Sequence, residues 1–242
     1  MTRSALSKMS GAMLALCVAV LAAAPAASAA SNAPASGAAK NLPELSGIWQ
    51  VIGYERSIRT VDGKMPPLRP EAKKVYEQNI VARKQLKPRE DLTRCVPPGT
   101  PRVLWAPFPI QIVQTARKVF WLHEYQHLIR HVYMDEPLPR LEDMDPSFMG
   151  ESVGHWDGDT LVIETIGFNA KTVLDRDGMP HSDQMRVTER VRLIDGGQHL
   201  EDRVTIDDPK TFTAPWTARV VFERKPGVEL KEYHCVLKYE EF

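Results

Sequence analysis

His123-Glu124-Tyr125-Gln126-His127 fits the H-E-x-x-H spacing of zinc metalloproteases. There two histidines one helical turn apart bind the metal and the glutamate acts as base. On a helix His131 would share their face. The surrounding run 119–134 is instead rich in β-branched and aromatic residues, and no helix cap precedes it. It predicts strand, turn and strand, with the two histidines straddling the turn and outside helical ligand geometry. Tyr125-Gln126 encodes that turn weakly, because it contains no Gly, Asn or Asp. No third ligand stands out downstream, so zinc at His123 and His127 is the alternative to a cofactor-free site.

Strand alternation supplies the second set. In the run from Met185, the residues Met185, Val187, Glu189, Val191 and Leu193 share a face, which turns Glu189 toward the apolar side. Asp202 sits likewise among Leu200, Val204 and Ile206. By the same reasoning Glu124 accompanies Phe120 and Leu122, and Glu164 accompanies Val162, Ile166 and Phe168. A carboxylate withdrawn from water costs several kcal/mol, so each needs a partner, a raised pKa or a wet cavity. The connection 167–183 adds Asn169, Asp175, His181 and Ser182, side chains suited to acid–base work or hydrogen bonding on a long loop. His181 and Ser182 are adjacent and no nucleophile elbow is present, which speaks against a Ser-His-Asp triad.

These residues must be carried by a β scaffold. The domain opens with a strand-like run at 45–54. Pro70 then begins a helix with an Ala72, Val75, Tyr76, Ile80 stripe, ending near Gln85 ahead of Pro88. From Phe108 onward short β-prone runs alternate with turn signals, among them Asp157-Gly158, Asp195-Gly196-Gly197 and Lys225-Pro226-Gly227. With the first strand they make about ten, the last at 228–237. The expected fold is all-β: an antiparallel meander closed into a lipocalin- or calycin-like barrel of about eight to ten strands, with one N-terminal amphipathic helix. A two-sheet sandwich is the alternative.

Arg3 and Lys8, an apolar run at 13–24 and the small residues Ala27-Ser28-Ala29 have the form of a cleavable signal peptide over residues 1–29. The apolar run is too short to span a bilayer. An Ala/Ser/Pro/Gly-rich stretch, 30–41, reads as a disordered leader, and 42–242 as a single β-barrel domain. The predicted location is therefore the periplasm or the exterior. The charges balance at 31 basic and 31 acidic residues, which gives no footprint for nucleic acid or stable membrane attachment. In an oxidising compartment Cys95 and Cys235 make a disulfide candidate, against the alternative of two buried thiols.

Several stretches resemble a family of secreted, largely uncharacterised bacterial proteins common in soil and marine genomes. They are Arg94-Cys95-x-Pro97-x-Gly99-x-Pro101, Glu124-Tyr125-x-His127-x-x-Arg130, Met149-Gly150-x-Ser152-x-Gly154-x-Trp156-x-Gly158-Asp159-Thr160-Leu161-Val162, and His181-Ser182 with Thr188-Glu189-Arg190. The resemblance implies no particular activity. The residues themselves point to an exported small-molecule enzyme of lyase, isomerase or hydrolase type. Glu189 or Glu124 would be its base, His181 or His127 the acid partner, and Arg130 the holder of an anion or oxyanion. Glu164, Asn169, Asp175, Ser182, Asp202 and Trp156 would contact the ligand. No phosphate-binding loop is present, so no cofactor is expected. The rival is a non-catalytic calycin-like binding protein for a small, partly apolar ligand.

Overall fold

Period-two alternation builds the sheet. Along Arg186–Ile194 the residues Val187, Glu189 and Val191 are buried while Arg186, Arg190 and Arg192 are exposed. The computed structural model describes residues 42–85, 95–233 and 235. Its strands are β1 (Gly47–Val51), β2 (Ile110–Gln114), β3 (Lys118–His123), β4 (Ile129–Met134), β5 (Glu151–Asp157), β6 (Thr160–Ile166), β7 (Arg186–Ile194), β8 (His199–Asp207) and β9 (Trp216–Arg224). Each pairs with the next, and β9 pairs with β1 to close the barrel. The closed all-β architecture is the expected one. The expected signal and leader segments, residues 1–41, lie outside the described residues. No helix among the described residues is long and apolar enough to cross a membrane.

Two details depart from a simple meander. β4 and β5 run parallel, with Val132 opposite Ser152 and Met134 opposite Gly154. The connection 135–150 therefore returns along the barrel before β5 begins, as a parallel pair requires. Gly154 permits the close approach there, since a Cβ would lie 2.8 Å from Val132 Cγ1. The strand expected from Val228 does not form over 228–233; that segment instead lies against the β3–β4 turn.

The lumen is packed with side chains. Trp49, Ile112, Trp121, Ile163, Val204 and Phe222 are fully or almost fully buried in one apolar cluster, each such side chain contributing roughly 1.5–3 kcal/mol on burial. Helix α1 (Pro70–Lys84) starts on Pro70, as the sequence predicts, and lies outside the barrel. Its stripe is narrower than expected: Tyr76 is buried whereas Val75 is exposed. The reason is that α1 holds its neighbour by polar contacts. Tyr76 Oη donates to Asp175 Oδ2 at 2.8 Å, Asn79 to the Gly178 carbonyl at 2.7 Å, and Arg83 to Asp177 at 2.7 Å.

Strand directions gather the long connections at one end of the barrel. There β1 ends, β2 begins, β3 turns into β4, and segments 167–185 and 208–215 are displayed. The opposite end has the short turns 115–117, 158–159 and 195–198, and it is where the 135–150 connection starts.

Candidate functional site

A polar cluster occupies the lumen toward the loop end. Arg130 is the second residue of β4 and Ser152 the second of β5, while Thr165 is the last but one of β6 and His123 the last of β3. Arg130 is 2% exposed and Glu189 0%. The guanidinium makes a two-pronged ion pair with Glu189: Nη1 donates to Oε1 at 2.8 Å and Nη2 to Oε2. It also donates to Ser152 Oγ at 3.0 Å and to Thr165 Oγ1 at 2.7 Å. Removing one member of such a pair strands a buried charge, at about 3–5 kcal/mol.

Asp202 and His123 complete the cluster. Both carboxyl oxygens of Asp202 and both ring nitrogens of His123 are buried without a hydrogen-bond partner among the described residues. Burial, and then the neighbouring Glu189 charge, raises the Asp202 carboxyl well above its ordinary value and so favours its protonated form. Burial, and then the Arg130 charge, lowers His123 to about 3, so the ring is neutral. The sequence pattern finds Glu189 and Asp202. It does not reveal that Arg130 reaches Glu189, because register alone brings β4 and β7 residues across the lumen.

Glu124 and Glu164 correct the alternation argument. On β3 the inward residues are Val119, Trp121 and His123, so Phe120 and Leu122 point outward and Glu124 follows at the rim. Glu164 projects from the outer face of β6 toward Arg186, 4.0 Å away. Its apolar neighbours Val162 and Ile166 share the outer face and are buried by covering segments. Outer-face burial mimics a lumen in the sequence.

The predicted acid–base residues fall into three separate places. Glu189 and Arg130 are in the lumen. Glu124 and His127 hold the C-terminal segment: Lys231 N–H donates to Glu124 Oε2 at 2.8 Å and Tyr233 N–H to His127 Nε2 at 2.9 Å. His181 belongs to the 167–185 connection, with Nε2 2.9 Å from Thr172 Oγ1 and Nδ1 3.1 Å from the Ser182 carbonyl. Ser182 donates through N–H and Oγ to Asp208, each at 2.6 Å, and Asn169 Oδ1 accepts from the Lys171 N–H at 3.1 Å. Trp156 is half-buried against the core, on the inward row of β5. The turn expected at Tyr125-Gln126 exists, with Gln126 and His127 at positive φ. His123 therefore lies inside the lumen and His127 outside it. Among the described residues no group of three or more His, Cys, Asp or Glu side chains is placed to hold a metal.

The loop end carries a cleft of about 240 Å³. Its apolar wall is an aromatic trio, with the Phe108 ring 5.0 Å from Tyr125 and 4.8 Å from Tyr233, and Tyr125 5.2 Å from Tyr233. Trp105, Ile58 and Leu174 extend it, and Arg56, Arg102 and Arg176 line it. Arg176 Nη1 donates to Tyr54 Oη at 2.6 Å. Asp175, predicted from the long connection, also lines the cleft. Its oxygens accept from Tyr76 Oη and from the N–H groups of Ile58, Asp177 and Met179. Burial raises its pKa against those bonds. Asp175 thus joins α1, the segment after β1 and its own loop. The bridge between Cys95 and Cys235, with Cα atoms 5.6 Å apart, ties down the segment that presents Tyr233.

Sequence reasoning missed Arg56, Arg102 and Phe108, which stand on short connecting segments without strand or helix periodicity, and it placed Tyr233 on a strand that does not form over 228–233. Tyr125, inside the HEYQH motif, and Asp175 and Arg176, on the long 167–183 connection, were near recognised signals. Compared with protein-family models and with curated proteins, the chain has no match.

Proposed function

We propose that the protein is a calycin-like carrier or receptor that binds a small, partly apolar molecule in the cleft at the loop end of its barrel. The observation that carries this reading is the aromatic trio of Phe108, Tyr125 and Tyr233 walling a cleft of about 240 Å³. Ligand sites of this kind combine apolar walls with a few placed polar groups, and a rigid barrel displaying loops is a common frame for them. Export through the signal peptide suits a protein that meets its ligand outside the cytoplasm. The fluorescence of phenylnaphthylamine, an apolar dye, tests the reading. Wild type should bind it saturably at one site. Ala106→Trp, which fills the cleft from its own lining, should abolish binding while circular dichroism stays unchanged. Equal binding by the variant refutes the assignment.

A catalytic reading is favoured by one observation, Asp202 buried in the lumen beside an Arg-paired Glu189 that raises its pKa. A buried carboxyl whose pKa is raised is suited to serve as a general acid. Here Asp202 would be the acid and Glu189 the charge that keeps it protonated. Metabolites that co-purify with the protein, incubated with wild type and Asp202→Asn, provide the test. Turnover by wild type lost in the variant supports it, and turnover by neither removes it. Both carboxyls are 0% exposed, which favours the binding reading.

A further inference from the structure

Three cationic side chains, Arg56, Arg102 and Arg176, line the loop-end cleft together with its aromatic wall, and Glu55 and Asp175 line it too. Asp175 is buried and engaged by four donors, so it is turned to its own loop rather than to a ligand. Glu55 is exposed. Arg102, Arg176 and Tyr125 all line the cleft, and both positive charges oppose the burial that raises the Tyr125 hydroxyl. Arg176 is held in place by its hydrogen bond to Tyr54 and by lying over that ring at 5.6 Å.

We infer that the ligand of this cleft is an aromatic anion, its ring stacked on Phe108, Tyr125 and Tyr233 and its carboxylate, sulfonate or phosphate held by Arg102 and Arg176. Guanidinium forks suit planar or tetrahedral oxyanions, and a partly enclosed apolar wall strengthens each charge-assisted bond. The ring supplies the apolar area and the anion fixes its orientation. This inference rests on the cleft being the ligand site, and it adds the ligand's charge and shape.

Two dyes that differ in one group decide it. Anilinonaphthalene sulfonate and phenylnaphthylamine share their rings, and only the first carries an anion. Wild type should bind the sulfonate about tenfold more tightly, the effect of one good charge-assisted contact. That preference should shrink with added salt. The double variant Arg102→Met, Arg176→Met keeps the aliphatic stems. It should lose the preference while still binding phenylnaphthylamine, and native circular dichroism checks its fold. Equal affinity for both dyes in wild type overturns the anion assignment and leaves the cleft standing. A sulfonate preference that survives the double variant also overturns it, because the anion is then held elsewhere. Binding of neither dye, or binding indifferent to Ala106→Trp, defeats the cleft reading and this inference with it.

Discussion

At the scale of single residues, the lumen sets two buried groups against each other. His123 stays neutral in the folded protein down to about pH 3, whereas an unfolded chain protonates histidine near ~6.5. Between those values the unfolded state holds the extra proton, so stability rises with pH, by about 1.4 kcal/mol per unit. Asp202 works in the other direction. The unfolded chain loses that proton near ~3.9, while the folded carboxyl keeps it to its raised value. From the lower value upward, stability therefore falls as pH rises. Above about pH 4 the two slopes oppose each other, and the histidine slope ends at about pH 6.5. Asp202→Asn should leave the histidine slope exposed, so urea midpoints climb across that window. His123→Phe should leave the opposite slope. A flat profile in both variants would show that neither group titrates as its burial requires.

At the scale of elements, the C-terminal segment behaves as a strap rather than a strand. Its backbone donates to Glu124 and His127, its Tyr233 ring completes the aromatic wall, and Cys235 bonds to Cys95 at a sequence separation of 140. A loop that long contributes about 4–5 kcal/mol in the chain-entropy account of disulfides. The double variant Cys95→Ser, Cys235→Ser should therefore unfold at lower urea and bind the cleft dye more weakly. Unchanged dye affinity in the folded variant would mean that the strap holds Tyr233 without the bridge. The helix has a comparable duty. Tyr76, Asn79 and Arg83 grip the 174–179 segment from outside the barrel, which fixes the Asp175-Arg176 edge of the cleft. A single buried aromatic suffices for such a helix because its anchors are polar.

At the scale of the whole molecule, strand direction creates one elaborate end and one plain end. The parallel β4–β5 pair is consistent with that arrangement. Its returning connection lets β5 begin where β4 began, and it places the 167–185 connection beside the β3–β4 turn. An antiparallel β4–β5 hairpin would have reversed every later strand and moved that connection to the other end. The charged and aromatic side chains of the cleft come from five separate stretches of chain, and closure of β9 on β1 is what brings the first and last of the described segments together.

The strands other than the one expected from Val228, the helix start at Pro70, the inward Glu189 and Asp202, and the Cys95–Cys235 pairing were all legible in the amino-acid sequence. Each depends on local periodicity, on local turn chemistry or, for the cysteines, on there being a single pair after residue 29. Glu124 and Glu164 misled that reasoning because alternation separates two faces without saying which is the lumen, and covering segments bury the outer face at Val162 and Ile166. Only the tertiary structure decided that Arg130 reaches Glu189, that β4 and β5 run parallel, and that Arg102, Tyr125, Arg176 and Tyr233 line one cleft. Those facts depend on register and closure between distant segments, and no short stretch of sequence carries the free energy that selects them.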